Sequence, residues 1–174
     1  MIILITGTSC TGKTFISQKL MEKYNIPYIS IDHIKMGLIR SGNTNISVYD
    51  DESLMPYLWN IVKEIVKTAI ENNQNLIIEG VYIPFDYKEY FTDIYLKHIK
   101  YYNIIFSKEY IHNNFETIIK YANEIEKRQN DFYIDKDTFI KENEENLLQC
   151  KKYNNPFILI NNNYLEEIKN CFQI

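Results

Sequence analysis

Eight residues near the amino terminus, Gly7-Thr8-Ser9-Cys10-Thr11-Gly12-Lys13-Thr14, constrain the chain more than any other feature. They follow the pattern G-x-x-x-x-G-K-[ST], in which small, flexible positions let successive backbone N–H groups turn inward around an anion. The helix that must follow adds the positive end of its dipole, and Lys13 adds a mobile charge. The Thr14 hydroxyl is placed for Mg²⁺, which would bridge the β- and γ-phosphates of a nucleoside triphosphate such as ATP. The pattern carries weight only between a strand and a helix. Ile2 to Ile5 supplies the apolar strand, and Phe15, Ile16, Lys19, Leu20 and Lys23 supply the helix. Cys10 lies inside the cradle, either as a small residue tolerated at a variable position or as a thiol made reactive by Lys13 and the helix end.

Beyond the cradle, short apolar runs alternate with stretches of 3.6-residue period, the pattern of βαβ units. Five strands are predicted, at Ile2 to Ile5, Tyr28 to Ile31, Asn75 to Ile78, Tyr101 to Phe106 and Phe157 to Ile160. Each is nearly continuous in apolar residues, as buried parallel strands are. The clearest helix runs from Glu52 to about Asn72, with Leu54, Leu58, Ile61, Val62, Ile65, Val66, Ala69 and Ile70 on one face and Pro56 near its start. Another periodic stretch, Ile111 to Ile125, ends near Lys127-Arg128, and a further helix begins around Asp137. No internal repeat or low-complexity linker interrupts the chain, so 1–174 reads as one α/β domain.

The ends of strands two and three supply the remaining candidates. Asp32 should emerge at the carboxyl edge of the sheet, where open α/β folds bind ligands. It is a candidate general base toward an attacking hydroxyl, a ligand of the Mg²⁺ shell, or simply a cap for a helix starting near Ile34. Arg40 ends that short helix and offers its fork to an anionic group on an acceptor, or else to the helix dipole. Glu79 closes the run Asn75-Leu76-Ile77-Ile78-Glu79-Gly80 at a position like that of a Walker B acid, near the metal or the acceptor. Tyr82 belongs to an aromatic loop, Val81 to Tyr87, able to wall an acceptor pocket. Residues 120–136 are expected to form a short lid that carries Arg128 to the transferring group, with Lys120 and Lys127 as possible helpers or solvated charges. His33, His98 and His112 show no metal-ligand spacing, and only His33 is near the cleft.

Composition narrows the partners. Nineteen Lys plus Arg against 23 Asp plus Glu give a net charge of −4, with an isoelectric point near 5.4, which disfavours a polynucleotide partner. Only Arg40 and Arg128 among the basic residues are arginine, so an acceptor with at most one strongly held anionic group is expected. No apolar run is long enough to span a bilayer and no leader pattern is present, which implies a cytoplasmic protein without a membrane partner. Cys10, Cys150 and Cys171 fit neither a disulfide framework nor a zinc site and read as free thiols.

Taken together, GTSCTGKT, SIDHIKMGLIR, NLIIEG and EIEKR resemble the small P-loop kinases of the nucleoside and nucleotide kinase group over nearly the whole chain. The strand-end Asp and NLIIEG look most like zeta-toxin and chloramphenicol phosphotransferase kinases, and the whole is similar to bacterial proteins labelled adenylate kinase or 2-phosphoglycerate kinase. The resemblance implies a three-layer fold with a five-stranded parallel sheet in the order 2-3-1-4-5 and helices on both faces. It also implies that Asp32 is the base toward a small hydroxyl-bearing acceptor, with ATP and Mg²⁺ as cofactors. By the same likeness the Met-Gly-Leu-Ile-Arg segment makes Arg40 an acceptor-phosphate ligand, although the second acceptor-site arginine of adenylate kinases is missing. An ATP-dependent kinase acting on a small metabolite is the leading reading. The alternatives are a nucleoside monophosphate kinase, a nucleotide hydrolase, and a nucleotide-dependent regulatory or toxin-like module.

Overall fold

Ile2–Thr6 forms β1, and all five of its residues are buried, as a strand covered on both faces must be. The computed structural model describes residues 1–122 and 134–173. Around β1 lie β2 (Tyr28–Ser30), β3 (Leu76–Glu79), β4 (Ile99–Phe106) and β5 (Phe157–Ile160). The sheet is wholly parallel, in the order β2-β3-β1-β4-β5. Each crossover carries helix: α1 (Lys13–Tyr24), α2 (Ile31–Arg40), α3 (Asp51–Glu71), α4 (Asp93–Leu96), α5 (Lys108–Tyr121), α6 (Lys136–Lys152) and, after β5, α7 (Tyr164–Phe172).

The alternation of side chains along the strands divides the core in two. Ile2, Leu4, Ile78 and Tyr101 face α3 and its Leu54, Leu58, Trp59, Val62, Val66 and Ala69. Ile3, Ile5, Ile77, Ile104 and Phe106 face Ile16 and Leu20 of α1, Ile111 and Ile118 of α5, Phe139 and Ile140 of α6, and Ile168 of α7. Asp50 caps α3 by accepting from the Ser53 N–H at 3.1 Å, and Ser107 caps α5 from Tyr110 at 3.1 Å. Pro56 falls in the second turn of α3, where it withholds only the N–H that would bond Glu52.

Several boundaries differ from expectation by a residue or two. β3 extends to Glu79 and β4 starts at Ile99, because backbone pairing with β1 and β2 continues past the apolar runs. The larger difference is at α2, which starts at Ile31 rather than near Ile34. Ile31 is fully buried and packs against Gly80, so the helix is drawn onto the strand ends at once. The aromatic loop after β3 also contains a 3-10 turn at Tyr87–Tyr90, followed by the short α4. No helix among the described residues is long and apolar enough to cross a membrane.

Candidate active site

The cradle leaves the buried end of β1 and is shaped by backbone dihedrals that ordinary residues rarely adopt. Gly7 has φ of 142° and Gly12 of 82°, and Cys10 itself adopts a left-handed 65°. A Cβ on Gly7 would strike the Ile104 carbonyl of β4, and one on Gly12 would overlap the Tyr164 hydroxyl. Inside the loop, the Thr8 carbonyl accepts from Thr11 Oγ1 at 2.9 Å and from Lys13 Nζ at 2.8 Å. Lys13 is only 8% exposed, so its charge is folded over the loop and faces little water. No side chain caps α1, and the buried Thr8 hydroxyl has no hydrogen-bond partner among the described residues. A glycine-rich loop that leads into a helix N-terminus with no side-chain cap, with a lysine folded over it, is suited to an anion.

Glu79 reaches this cradle from the neighbouring strand. It is paired in register with Ile5 of β1 and Ser30 of β2, and its Oε1 accepts from the Thr14 hydroxyl at 3.3 Å. The side chain is 2% exposed. A hydroxyl and a carboxylate side by side are hard oxygen donors suited to Mg²⁺, which takes few protein ligands and completes its shell with water and phosphate. Among the described residues, no group of three or more His, Cys, Asp or Glu forms a dedicated metal cage.

Asp32 lies two residues past Ser30, at the same sheet edge as Glu79. It caps nothing: it sits within the first turn of α2, and Ser30 occupies the cap position. Its Oδ1 pairs with Lys35 Nζ at 2.7 Å. Lys35 also donates to the Tyr82 hydroxyl at 3.1 Å, and Tyr82 donates to Asp51 Oδ1 at 2.5 Å. Burial by itself would lower the Lys35 pKa, but the bonds to Asp32 and Tyr82 overcome it and hold the ammonium above its ordinary 10.5. Burial, reinforced by the bond to Asp51, pushes the Tyr82 phenol up to about 12.

The structure thus brings Lys13, Thr14 and Glu79 together, and joins Asp32 to Tyr82 through Lys35. Arg40 does not join them. It is the exposed last residue of α2, about 12 Å along the helix from Asp32 at 1.5 Å per residue, and pairs with no carboxylate among the described residues. Arg128 and Lys127, with most of the expected lid, lie outside the described residues. Lys35, Asp51 and Tyr164 were not singled out from sequence. The Asp32–Lys35 spacing was a usable signal, being one helical turn; the Tyr82–Asp51 and Tyr164–Gly12 contacts had none. A cavity of about 290 Å³ lined by Lys108, His112, Asp137, Ile140, Lys141 and Glu144 contains none of these residues.

No family model matches the chain, and no curated protein does. Solved structures do. A gluconokinase from Sinorhizobium meliloti 1021 superposes with a TM-score of 0.59 at 11% identity, covering 98% of this chain and 89% of that one. Shikimate kinase from Aquifex aeolicus vf5 gives 0.53 at 16%, covering 99% and 94%. Deoxyadenosine kinase from M. mycoides gives 0.55 at 16%, covering 99% and 97%. At such identities the likeness is one of fold, and the fold is that of the small P-loop kinases. Its strand order is the one the sequence resemblance implied.

Proposed function

We propose that the protein is an ATP-dependent kinase that moves the γ-phosphoryl group to a hydroxyl of a small metabolite. The observation that carries the reading is the Thr14–Glu79 hydrogen bond, which closes the phosphate cradle with a metal-competent pair of oxygens. The gluconokinase, shikimate kinase and deoxyadenosine kinase that share the fold support the same class.

In this reading the loop amides and Lys13 bind the phosphates, and α1 adds its positive end. Thr14 and Glu79 are the residues that would hold Mg²⁺, which would supply charge neutralisation to the triphosphate. Asp32, at the same edge but outside the cradle, accepts the proton of the acceptor hydroxyl as its oxygen bonds to the γ-phosphorus. Arg128 is proposed to stabilise the charge spread over the transferring group. The protein is proposed to act in the cytoplasm, on a small-molecule acceptor.

ATP consumption with and without a metabolite panel tests the reading: turnover only with an acceptor supports a kinase, and acceptor-independent turnover points to a hydrolase. Asp32→Asn is expected to lower transfer about 10²- to 10⁴-fold, and full activity in that variant would remove Asp32 as the base.

A further inference from the structure

Lys35 is the inner member of its ion pair. Its side chain is 14% exposed against 41% for Asp32, and its ammonium lies 5.1 Å from the centroid of the Tyr82 ring. Tyr82 is itself 2% exposed and anchored to Asp51 at the start of α3. Three segments, the first turn of α2, the loop after β3 and the first turn of α3, are therefore tied by one row of contacts running Asp32–Lys35–Tyr82–Asp51. An exposed surface pair would contribute little, but this cation is largely buried and held by two side chains, Asp32 and Tyr82.

We propose that Lys35 is a positioning residue for Asp32, and that the acceptor is an uncharged or cationic hydroxyl compound and not an acid. The proposal rests on the reading of Asp32 as the acceptor base. Lys35 Nζ holds Oδ1, which leaves Oδ2 for the incoming hydroxyl. An untethered carboxylate turns freely about its last torsion, so the tether raises the fraction of time that Oδ2 faces the acceptor. The O–H bond breaks to Oδ2 while the acceptor oxygen bonds to the γ-phosphorus. The bond from that phosphorus to the β–γ bridging oxygen breaks with its electron pair on ADP, and the proton leaves Oδ2 for solvent afterwards.

The charge balance selects the acceptor class. The row holds two carboxylates and one ammonium: Lys35 pairs with Asp32, while Asp51 accepts from the Tyr82 hydroxyl and, among the described residues, is in no ion pair. An acid entering here meets net negative charge, and gains a cation only by pulling Lys35 off Asp32 and so disorienting the base. A polyol or an amino alcohol brings O–H or N–H donors, which carboxylate oxygens accept directly.

The test has two arms. In the first, a neutral polyol, an amino alcohol and a hydroxy acid of similar size are compared in the wild type, Lys35→Met and Lys35→Arg. The polyol or amino alcohol is expected to show kcat/KM at least about tenfold above the hydroxy acid. Lys35→Met should lower kcat about 10- to 100-fold with acceptor KM within about twofold, and Lys35→Arg should recover part of the loss. A preferred hydroxy acid whose KM rises in Lys35→Met at unchanged kcat would make Lys35 an anion receptor and overturn the proposal. The second arm needs no turnover: the rate at which an amine-acylating reagent labels Lys35, read by mass spectrometry on the wild type. Lys35 should label more slowly than Lys19, faster in Asp32→Asn, and at the same rate with or without the hydroxy acid. Labelling as fast as Lys19, or protection by the hydroxy acid, overturns the positioning role. If no acceptor of any charge is phosphorylated, the kinase reading fails by itself, and the labelling arm still decides the role of Lys35.

Discussion

The glycine-rich cradle and the wall formed by the row Asp32–Lys35–Tyr82–Asp51 stand at the same edge of one sheet but are built in opposite ways. The cradle is contiguous: Gly7 to Thr14 make it from backbone N–H groups, two glycines at positive φ and one lysine folded over its own loop. The wall is assembled from side chains far apart in sequence, Lys35 meeting Tyr82 across 47 positions and Tyr82 meeting Asp51 across 31. A site written in backbone tolerates change at its variable positions and fails at its glycines. A site written in side chains is retuned by single substitutions, which would suit acceptor choice in the proposed reading.

The largest expected effect therefore falls on the cradle. Lys13→Met should reduce phosphoryl transfer about 10³-fold with the far-ultraviolet spectrum unchanged, since in the proposed reading Lys13 provides charge to the phosphates, and its bond to the Thr8 carbonyl is local to the loop. Single-turnover measurements check this, and a variant within tenfold of wild type would mean that another cation carries the phosphates.

The next effect shows that the contiguous cradle leans on a distant residue. Gly12→Ala places a Cβ against the Tyr164 hydroxyl and strains a φ of 82°, so a stability loss of about 1–3 kcal/mol and weakened ATP binding are expected. Removing the hydroxyl in Gly12→Ala/Tyr164→Phe should recover the steric part and leave the backbone part. Strict additivity of the two changes, read from urea unfolding, would show that the contact is not the cause. Tyr164→Phe alone loses only the long bonds to the Thr11 and Gly12 carbonyls, 3.3 and 3.4 Å, and should cost about 1 kcal/mol with a few-fold rise in the KM for ATP.

That asymmetry also explains what could be read from the sequence. The five strands, their class and the cradle follow from apolar runs and one motif, because backbone structure obeys local rules. Glu79 was visible as a strand-end acid, and the register with Ile5 and Ser30 gives it its place. Asp32 was visible too, but its environment was not. Whether it capped a helix or lay inside one depended on how far Ile31 is drawn into the core against Gly80, a tertiary contact with no local signature. Tyr82 looked like a pocket wall from its aromatic surroundings, whereas the structure makes it a buried strut whose hydroxyl links two elements. Arg40 stood out by scarcity alone, and scarcity says nothing about which face of a helix a residue takes.

The smallest effect is on the pH dependence of stability. Burial pushes both Tyr82 and Tyr87 up to about 12 from 10.0, and both lie on the acceptor side of the sheet, Tyr87 stacked on Tyr101 with ring centroids 4.7 Å apart. The folded protein keeps these phenols protonated at a pH where the unfolded chain would release the protons. Their contribution to stability is therefore intact below pH 10 and falls as pH rises from there to about 12. Lys35, raised above 10.5, acts in the same direction: the unfolded chain loses its proton first, and the ion pair with Asp32 disappears once the folded lysine also titrates. Urea midpoints followed from pH 8 upward should begin to decline near pH 9, where burial holds the Cys150 thiol up to about 11, and fall more steeply above pH 10 as the tyrosines add to it. Tyr87→Phe should flatten that decline without touching catalysis, because its ring is 5% exposed and, among the described residues, its ring partners are Tyr101 and the Lys88 ammonium. Tyr82→Phe should flatten it and also lower kcat, because it removes the second anchor of Lys35. Equal effects of the two substitutions on kcat would mean that the row from Asp32 to Asp51 is scaffolding and plays no part in orienting the base.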